Sequence, residues 1–149
     1  MIDSMTVMRD YAERLGELLA AAGVTGWQVV TDGEAPRVSD ARVLELRLVR
    51  VSPVVNGLST YRLDCQLVIR GSADNAAQAE ATAADVALIF SVAQASVQWL
   101  PGTDVADTSG VAARYLDTRL DQLASGVISE SLQVAPVGAL TLWVYFADE

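Results

Sequence analysis

The residues that could carry out acid, base or nucleophilic chemistry are few in this chain. Histidine and lysine are absent, and Cys65 is the single cysteine. The usual general bases, Schiff-base formers and phosphate-binding lysines are therefore unavailable. Cys65 belongs to the inward-facing set of an alternating segment and has no histidine to activate it, which favours a packed core thiol over a nucleophile. We expect no catalytic residue and a protein that is not an enzyme.

Motifs for metals and cofactors are equally sparse. Asp104 and Asp107 have a spacing that a metal site could use, but they stand among Gly, Thr and Ser without the full calcium-loop pattern. Solvated loop acids are the favoured interpretation. The glycine-containing stretches at 32–37 and 101–110 lack the spacing of phosphate-binding loops. We predict no metal and no cofactor.

The charge of the chain is acidic and unevenly spread. Nineteen acids and ten arginines give a formal net charge of −9. No basic residue occurs from Gly71 to Ala113, a stretch that holds five acids. This composition argues against electrostatic attraction to nucleic acid or to an anionic membrane. The acidic stretch is either a solvated face that aids solubility, which is the favoured interpretation, or a surface that must not bind DNA.

Length and hydropathy indicate one domain that associates with other subunits. The 149 residues suit a single domain over 1–149, and 52% of them are hydrophobic. That fraction is high for a soluble monomer, so we expect an oligomer. No apolar stretch approaches the roughly 20 residues that span a bilayer, and no signal peptide is recognisable. With a lone cysteine, these features favour the cytoplasm and exclude a membrane protein.

Hydrophobic periodicity predicts a helix, a hairpin and a second helix in the first two thirds of the chain. The first helix starts at Ser4 and stops at Gly23. Strands are predicted at 27–31, 42–51 and 59–70, and the last two form a long hairpin. An alanine-rich helix follows, capped by Ser72 or Asp74. Its buried stripe is predicted at Ala77, Ala81, Ala84, Leu88 and Val92, widened by Val86, Ile89 and Phe90.

The remaining segments are less regular. Strands are predicted at 96–101, 127–135 and 139–146, whereas 111–125 suits either a helix or a strand. Within 42–51 the leucines lie on one face of the strand, and Val49 and Val51 lie on the other. This pattern predicts either a bulge in the strand or burial of both of its faces. Hairpin-connected neighbours favour an α+β fold. Its mostly antiparallel sheet would be packed by an N-terminal helix and a central alanine-rich helix.

Three groups of side chains are candidates for surface roles. Trp27, Trp99 and Trp143 are expected to anchor the core or an interface. The apolar hairpin tip is hard to explain within a monomer, so we assign Pro53, Val54 and Val55, together with Trp143, to an intersubunit contact. A basic strip on one sheet face is possible, but cross-strand pairing with Asp64 and Glu45 is favoured. The arginines in question are Arg47, Arg50, Arg62 and Arg70.

The layout of these elements resembles the tail terminator proteins of long-tailed bacteriophages, also called tail completion or minor tail proteins. The matching features are the N-terminal helix, the turn-rich "DGEAPRV", the long hairpin, the strand "YRLDCQLVI" that leads into an alanine-rich helix, and the final "LTLWVYF". The resemblance covers about residues 5 to 146. It lies in the order and size of the elements, because that family has no invariant chemical motif.

The resemblance implies a non-enzymatic virion protein. Six subunits would form a ring that caps a finished tail tube, stops its polymerisation and joins the tail to the neck of the filled head. The partners would be other copies of the chain, the tail tube protein and a neck or head-completion protein. The location would be the virion, and the host cytoplasm during assembly.

A ring through which DNA slides as passing cargo gives a reason for acidity. A negative lumen repels the phosphate backbone. We expect Asp104 and Asp107, or acids of the second helix, to line such a lumen.

Two other classes of function stay open. A dimeric secretion chaperone is also small, acidic and cytoplasmic, with a similar order of helix and strands. Such chaperones usually finish with a helix, whereas this chain finishes with a predicted strand. A small acid-dependent enzyme ranks last, because no pair of acids has a setting that predicts a shifted pKa.

Overall fold

The fold is a five-stranded sheet with two helices, described by a computed structural model over residues 4–31, 42–53, 60–71, 76–105, 113–122 and 133–146. The strand order is β1-β2-β3-β5-β4. β1 pairs in parallel with β2, and the other neighbouring strands pair antiparallel. The expected α+β fold is confirmed. Its elements are α1 (Ser4–Ala21), β1 (Trp27–Thr31), β2 (Arg42–Pro53), β3 (Thr60–Gly71), α2 (Ala76–Trp99), β4 (Ala113–Gln122) and β5 (Gln133–Phe146).

Both helices pack on the same face of the sheet, here called the inner face. Apolar residues of α1 recur at three- and four-residue steps and bury one stripe, while alternate residues of each strand point toward it. The opposite sheet face is called the outer face. The inner layer forms one buried cluster that includes Val7, Met8, Leu15, Leu44, Leu46, Leu63, Leu67, Ile89, Leu140 and Leu142.

The first helix ends at Gly23, as its sequence predicts. Gly23 has a φ of 84°, in the left-handed region that favours glycine. Its N–H donates to the Ala20 carbonyl at 3.1 Å, and the Val24 N–H donates to the Leu19 carbonyl at 2.9 Å. These two bonds are those of a Schellman motif. Leu19 and Val24 are both buried and supply its apolar contact.

The second helix buries only part of its predicted stripe: Val86 and Ile89 are buried, and Phe90 and Val92 are half-buried against the core. Ala77, Ala81 and Ala84 are exposed, and Leu88 is 40% exposed. Val86 and Ile89 lie in the buried stripe because their larger side chains remove more apolar area from water than alanine does. The full buried stripe is Thr82, Val86, Ile89, Ala93 and Ser96.

The same helix is also longer than predicted. It continues through Trp99, so the strand expected at 96–101 is wrong. By length and composition alone, Glu80–Trp99 could cross a membrane, contrary to the expectation that no apolar stretch is long enough. In this fold, however, one side of the helix belongs to the core cluster, and Asp85 accepts hydrogen bonds from Trp27 and Arg42. Those contacts are the ones a helix makes when it packs on a sheet.

The register shifts at three places in the described strands, one of them between Leu67 and Val68 where β3 pairs with β5. In β2 the register shifts between Leu48 and Arg50, so Val49 is inserted and is 61% exposed. Of the two alternatives for this strand, the bulge is therefore confirmed. Because of the inserted residue, Val51 lies on the same sheet face as its partner Leu63. In β4 the register shifts between Tyr115 and Asp117.

The end of the chain also differs from the prediction. Of the two alternatives for 111–125, the strand is confirmed, because β4 pairs along β5. One long strand, Gln133–Phe146, stands where the patterns predict separate strands at 127–135 and 139–146. Residues 123–132 lie outside the described ranges, as do Ser72 and Asp74.

The end of α1 offers a direct test of the fold. Replacing Gly23 with alanine should lower the free energy of unfolding by about 1 to 2 kcal/mol, because an L side chain is strained at positive φ. Urea denaturation measures the change. Gly16→Ala is the matched control: its new Cβ would lie 3.8 Å from Val29 Cγ2, an ordinary contact. That helical substitution should raise the stability by about 0.5 to 1 kcal/mol, and equal effects of both variants would contradict the assigned end of α1.

Candidate functional site

The outer face of the sheet presents its polar side chains in rows across the strands. One row joins Arg50 of β2, Asp64 of β3, Thr141 of β5 and Arg119 of β4. The next row joins Arg62, Trp143 and Asp117, and a third pairs Tyr145 with Arg114. Side chains in one row are close neighbours across the ladder.

Trp143 lies at the centre of these rows. Its neighbours along β5, Leu142 and Val144, are fully buried in the core, so Trp143 points to the outer face. The Arg119 guanidinium carbon lies 5.3 Å from the centroid of the Trp143 ring, a cation–π contact. Tyr145 is two residues further on the same face and is 42% exposed. We call Arg62, Arg114, Arg119, Trp143 and Tyr145 the Trp143 patch.

The arginines of the outer face are paired with acids. Arg62 Nε lies 3.3 Å from Asp64 Oδ1, and Arg50 Nε lies 3.9 Å from Asp64 Oδ2. Arg47 forms an ion pair with Glu45. All three arginines are therefore paired with the expected acids, but the expected cross-strand pairing is confirmed only for Arg50, because the Arg62–Asp64 and Arg47–Glu45 pairs each lie within one strand. The side chain of Arg70 lies outside the described residues.

The predicted intersubunit and lumen residues are only partly within the described ranges. Pro53 ends β2 opposite Tyr61 and is exposed. Val54, Val55 and Asp107 lie outside the described residues. The assignment of all these residues stays a prediction.

Asp104 follows α2 and forms an isolated antiparallel bridge with Arg114 of β4. Its exposed carboxylate accepts a hydrogen bond from Arg114 Nε at 3.1 Å. Its backbone carbonyl accepts another from Arg14 Nη2 at 2.5 Å. The negative charge of Asp104 is thus opposed by an arginine of the Trp143 patch.

A buried polar cluster joins α1 to β4, and periodicity alone does not single it out. The Tyr115 hydroxyl donates to Asp10 Oδ2 at 2.6 Å, and Arg14 Nε donates to the same oxygen at 3.0 Å. Burial, followed by the hydrogen bond with Asp10, raises the pKa of Tyr115 well above its ordinary value. The tyrosine therefore stays protonated and holds the carboxylate. The signal in the sequence is that Asp10 falls on the buried stripe of α1, three residues after Val7.

A second buried contact joins α1 to α2. The hydroxyls of Tyr11 and Ser96 lie 3.1 Å apart, and Ser96 Oγ donates to the Ala93 carbonyl at 2.5 Å. Tyr11 is therefore the donor to Ser96. Burial raises the pKa of Tyr11 to about 12, so its hydroxyl keeps its proton at neutral pH. Both tyrosines act as fixed hydrogen-bond donors in the core.

Cys65 lies on the inner face of β3, where its sequence pattern places it. It is buried in the core cluster. Burial, with a smaller contribution from Asp64, raises the pKa of the Cys65 thiol to about 12. Because the thiolate is the reactive form, this environment suppresses nucleophilic chemistry. The core-thiol interpretation is confirmed.

A cavity of about 370 Å³ lies between α1 and β1. Trp27 forms part of its wall and is held by a hydrogen bond from its Nε1 to Asp85 Oδ2 at 3.0 Å. Trp27 and Trp99 both pack against the core, unlike Trp143. Among the residues that the structure describes, no three His, Cys, Asp or Glu are grouped to hold a metal. The cavity lining is Arg9, Ala12, Glu13, Gly16, Trp27, Val29 and Thr31.

Comparison with known proteins adds little to this geometry. No family model matches the chain, and no curated protein matches it. One solved structure aligns over 100% of this chain and 99% of its own, with 14% identity and a TM-score of 0.46. A likeness at that level carries no argument about fold or function.

The buried cluster predicts a large difference between two tyrosines. Tyr115→Phe should lower the free energy of unfolding by about 1 to 3 kcal/mol, because it leaves the Asp10 carboxylate with one donor fewer in a buried site. Tyr145→Phe, on the exposed outer face, should change it by less than about 0.5 kcal/mol. Urea denaturation at neutral pH measures both. Equal stability of the two variants would show that the Tyr115 hydroxyl does not hold Asp10.

Proposed function

We propose that this protein is a non-enzymatic virion protein of a long-tailed bacteriophage that forms a ring on the end of the tail tube. Six copies would cap the tube, stop its polymerisation and present a surface to a neck or head-completion protein. The proposal starts from the layout of elements described above. One structural observation carries it further, namely the aromatic and arginine surface on the outer face of the sheet.

The composition of the Trp143 patch is that of a protein-binding surface. Tryptophan, tyrosine and arginine are the residues most enriched among those that carry the binding energy of interfaces. Here they are grouped on one sheet face, with Tyr145 exposed and Trp143 half-buried. In the fold, Trp143 contributes nothing to the core cluster, so its retention on the surface is better explained by assembly than by stability.

The β2–β3 hairpin supplies a second element suited to assembly. Each of its strands has 12 residues, about 40 Å in length by the rise of a strand. Beyond the bulge, Val51 is 42% exposed and Pro53 is exposed. These apolar side chains lead toward the tip at Val54 and Val55. A contact between hairpin tips and neighbouring subunits would cover them.

The acidity of the chain suits a ring that DNA must pass. A net charge of −9 opposes binding of the phosphate backbone. Within this proposal, Asp104, Asp107 and the exposed Glu80 of α2 are the candidates to line the lumen. The protein would act in the virion after assembly in the host cytoplasm, with DNA only as cargo.

The decisive experiment measures the native mass of the purified protein over a concentration series, with negative-stain imaging of the same samples. We expect a six-fold ring with a central hole, either in solution or on purified tail tubes. A stable dimer that binds neither tubes nor its own copies in a ring would favour the secretion chaperone. Failure to cap tubes, measured as continued tube growth in the presence of the protein, would contradict the proposal.

The interaction with DNA gives an independent prediction. In an electrophoretic retardation assay at low salt, the isolated protein should leave double-stranded DNA unshifted, because an acidic surface repels phosphates. We expect a DNA mobility shift when the charge of two lumen candidates is reversed by Asp104→Arg together with Glu80→Arg. This shift should disappear as salt is added. Tight, salt-sensitive binding by the unmodified protein would rule out a lumen that lets DNA slide.

A further inference from the structure

We propose that two copies of the chain pair antiparallel through the side of β4 that faces away from β5, around a two-fold axis at Leu120. This pairing would join the two five-stranded sheets into one continuous sheet. It goes beyond the proposed function, because it describes the free protein in solution and does not depend on the ring.

The side of β4 away from β5 is covered only in part within one copy. β4 is the last strand in the sheet order, and residues 102–105 lie along its beginning. The Tyr115 N–H donates to the Thr103 carbonyl at 3.0 Å, and the Gly102 N–H donates to the Tyr115 carbonyl at 2.7 Å. Among the described residues, none forms a backbone hydrogen bond with this side beyond Tyr115. We call residues 116–122 the open edge, because such an edge is a template for another strand.

The backbone groups of Thr118 and Leu120 point out of the open edge. Tyr115, whose N–H and carbonyl both bond on that side, lies opposite one residue of β5, and Thr118 and Leu120 lie opposite every second residue from it. Backbone direction repeats at every second residue of an antiparallel ladder, so all three residues point the same way. The Thr118 N–H accordingly donates to Asp117 Oδ1, at 2.8 Å, instead of to β5.

The side chain of Thr118 is a second sign that this edge is incomplete in one copy. Thr118 is 1% exposed, and its hydroxyl has no hydrogen-bond partner. Buried polar groups in native structures are nearly always hydrogen-bonded. A strand added at the open edge would give the backbone groups their partners and would place new hydrogen-bonding groups beside this hydroxyl.

The charges along the open edge are complementary to themselves. Asp117, Arg119 and Asp121 alternate along β4 and are exposed. Neither Arg119 nor Asp121 forms an ion pair within the described part of the chain. A two-fold axis at Leu120 places Arg119 opposite Asp121 of the second copy, and symmetry repeats this pair. Leu120 would exchange both of its backbone hydrogen bonds with its own copy.

The neighbouring registers are unfavourable. An axis at Arg119 would place two guanidinium groups opposite each other, and an axis at Asp121 would do the same with two carboxylates. Like charges directly opposite each other destabilise a strand pair. An axis at Thr118 would bring Asp121 of the second copy against the covered part of the strand, where residues 102–105 already lie. Of these four axes, the one at Leu120 remains.

The pairing determines the symmetry and the arrangement of the two copies. The same residues come from both copies, so the interface is isologous and closes as a dimer. Because exposed outer-face residues meet their like, the Trp143 patches of both copies would lie on the same side of the joined sheet and stay accessible. The contact is short, so the dimer should dissociate on dilution.

Exchange of charges across the axis tests the pairing. Arg119→Asp and Asp121→Arg should each raise the dissociation constant of the dimer by about tenfold, because each places like charges across both symmetric pairs. The double variant R119D/D121R should return it to within about twofold of the unmodified value. An equal mixture of the two single variants should do so too, since their heterodimer has only opposite charges across the axis. Sedimentation equilibrium over a concentration series measures the constant, and circular dichroism verifies folding.

Matched controls lie at the opposite edge of the sheet. Arg9→Asp and Glu13→Arg make the same changes of net charge at exposed positions of α1, beside β1. Each should leave the dissociation constant within about twofold of the unmodified value, because salt screens charges that are far from the contact. An equal loss of dimer in the controls would show that net charge controls association, and it would overturn the inference.

Three further results would overturn the inference. They are an unmodified protein that stays monomeric up to about 1 mM, single variants that dimerise as well as it does, and a double variant that is not restored. Failure of the proposed function is a separate result. If the dimer forms and responds as expected but the protein does not cap tail tubes, only the proposed function fails. If rings form on tubes and no two-fold dimer exists in solution, only this inference fails.

Discussion

The packing of both helices on a single face of the sheet is the constraint on which the rest of the structure depends. It buries the alternate apolar residues of four strands against α1 and α2, and neither of these two helices covers the outer face. The charged side chains of that face must therefore be neutralised locally. Arg50 of β2 is paired with Asp64 of β3, and Arg62 is paired with the same carboxylate within β3. The aromatic and arginine surface lies on the accessible part of the outer face, whereas Val43 and Val68 on the same face are buried.

Two neighbouring residues of α1 orient that packing. Asp10 accepts a hydrogen bond from Tyr115 of β4, and Tyr11 donates one to Ser96 of α2. Apolar contacts are not directional, whereas each of these buried polar groups tolerates only one position of its partner. The pair therefore places α1 relative to the far edge of the sheet and to the second helix. Arg14 extends the same contact to the carbonyl of Asp104.

The groups whose pKa is raised by burial lie in the core and not on the surfaces of the protein. Burial keeps Cys65, Tyr11 and Tyr115 protonated, so the groups with raised pKa serve the core. The features that the core does not explain are the Trp143 patch, the exposed alanine side of α2 and the apolar residues beyond the β2 bulge. All three lie on surfaces of the described part of the chain. The proposed ring gives them a common role.

The sequence by itself determined the α+β class, the end of α1 at Gly23, the long hairpin and the inward position of Cys65. Those features depend on local conformation and on periodicity, which can be read along the chain. Only the tertiary structure decided that 111–125 contains a strand, because its pairing with β5 is remote in sequence. Pairing also decided that Val49 forms the bulge. The tertiary structure also decided which side of α2 is buried, because an alanine-rich pattern does not show which side of a helix faces the sheet. The position of Trp143 beside Arg119 depends on the pairing of β4 with β5.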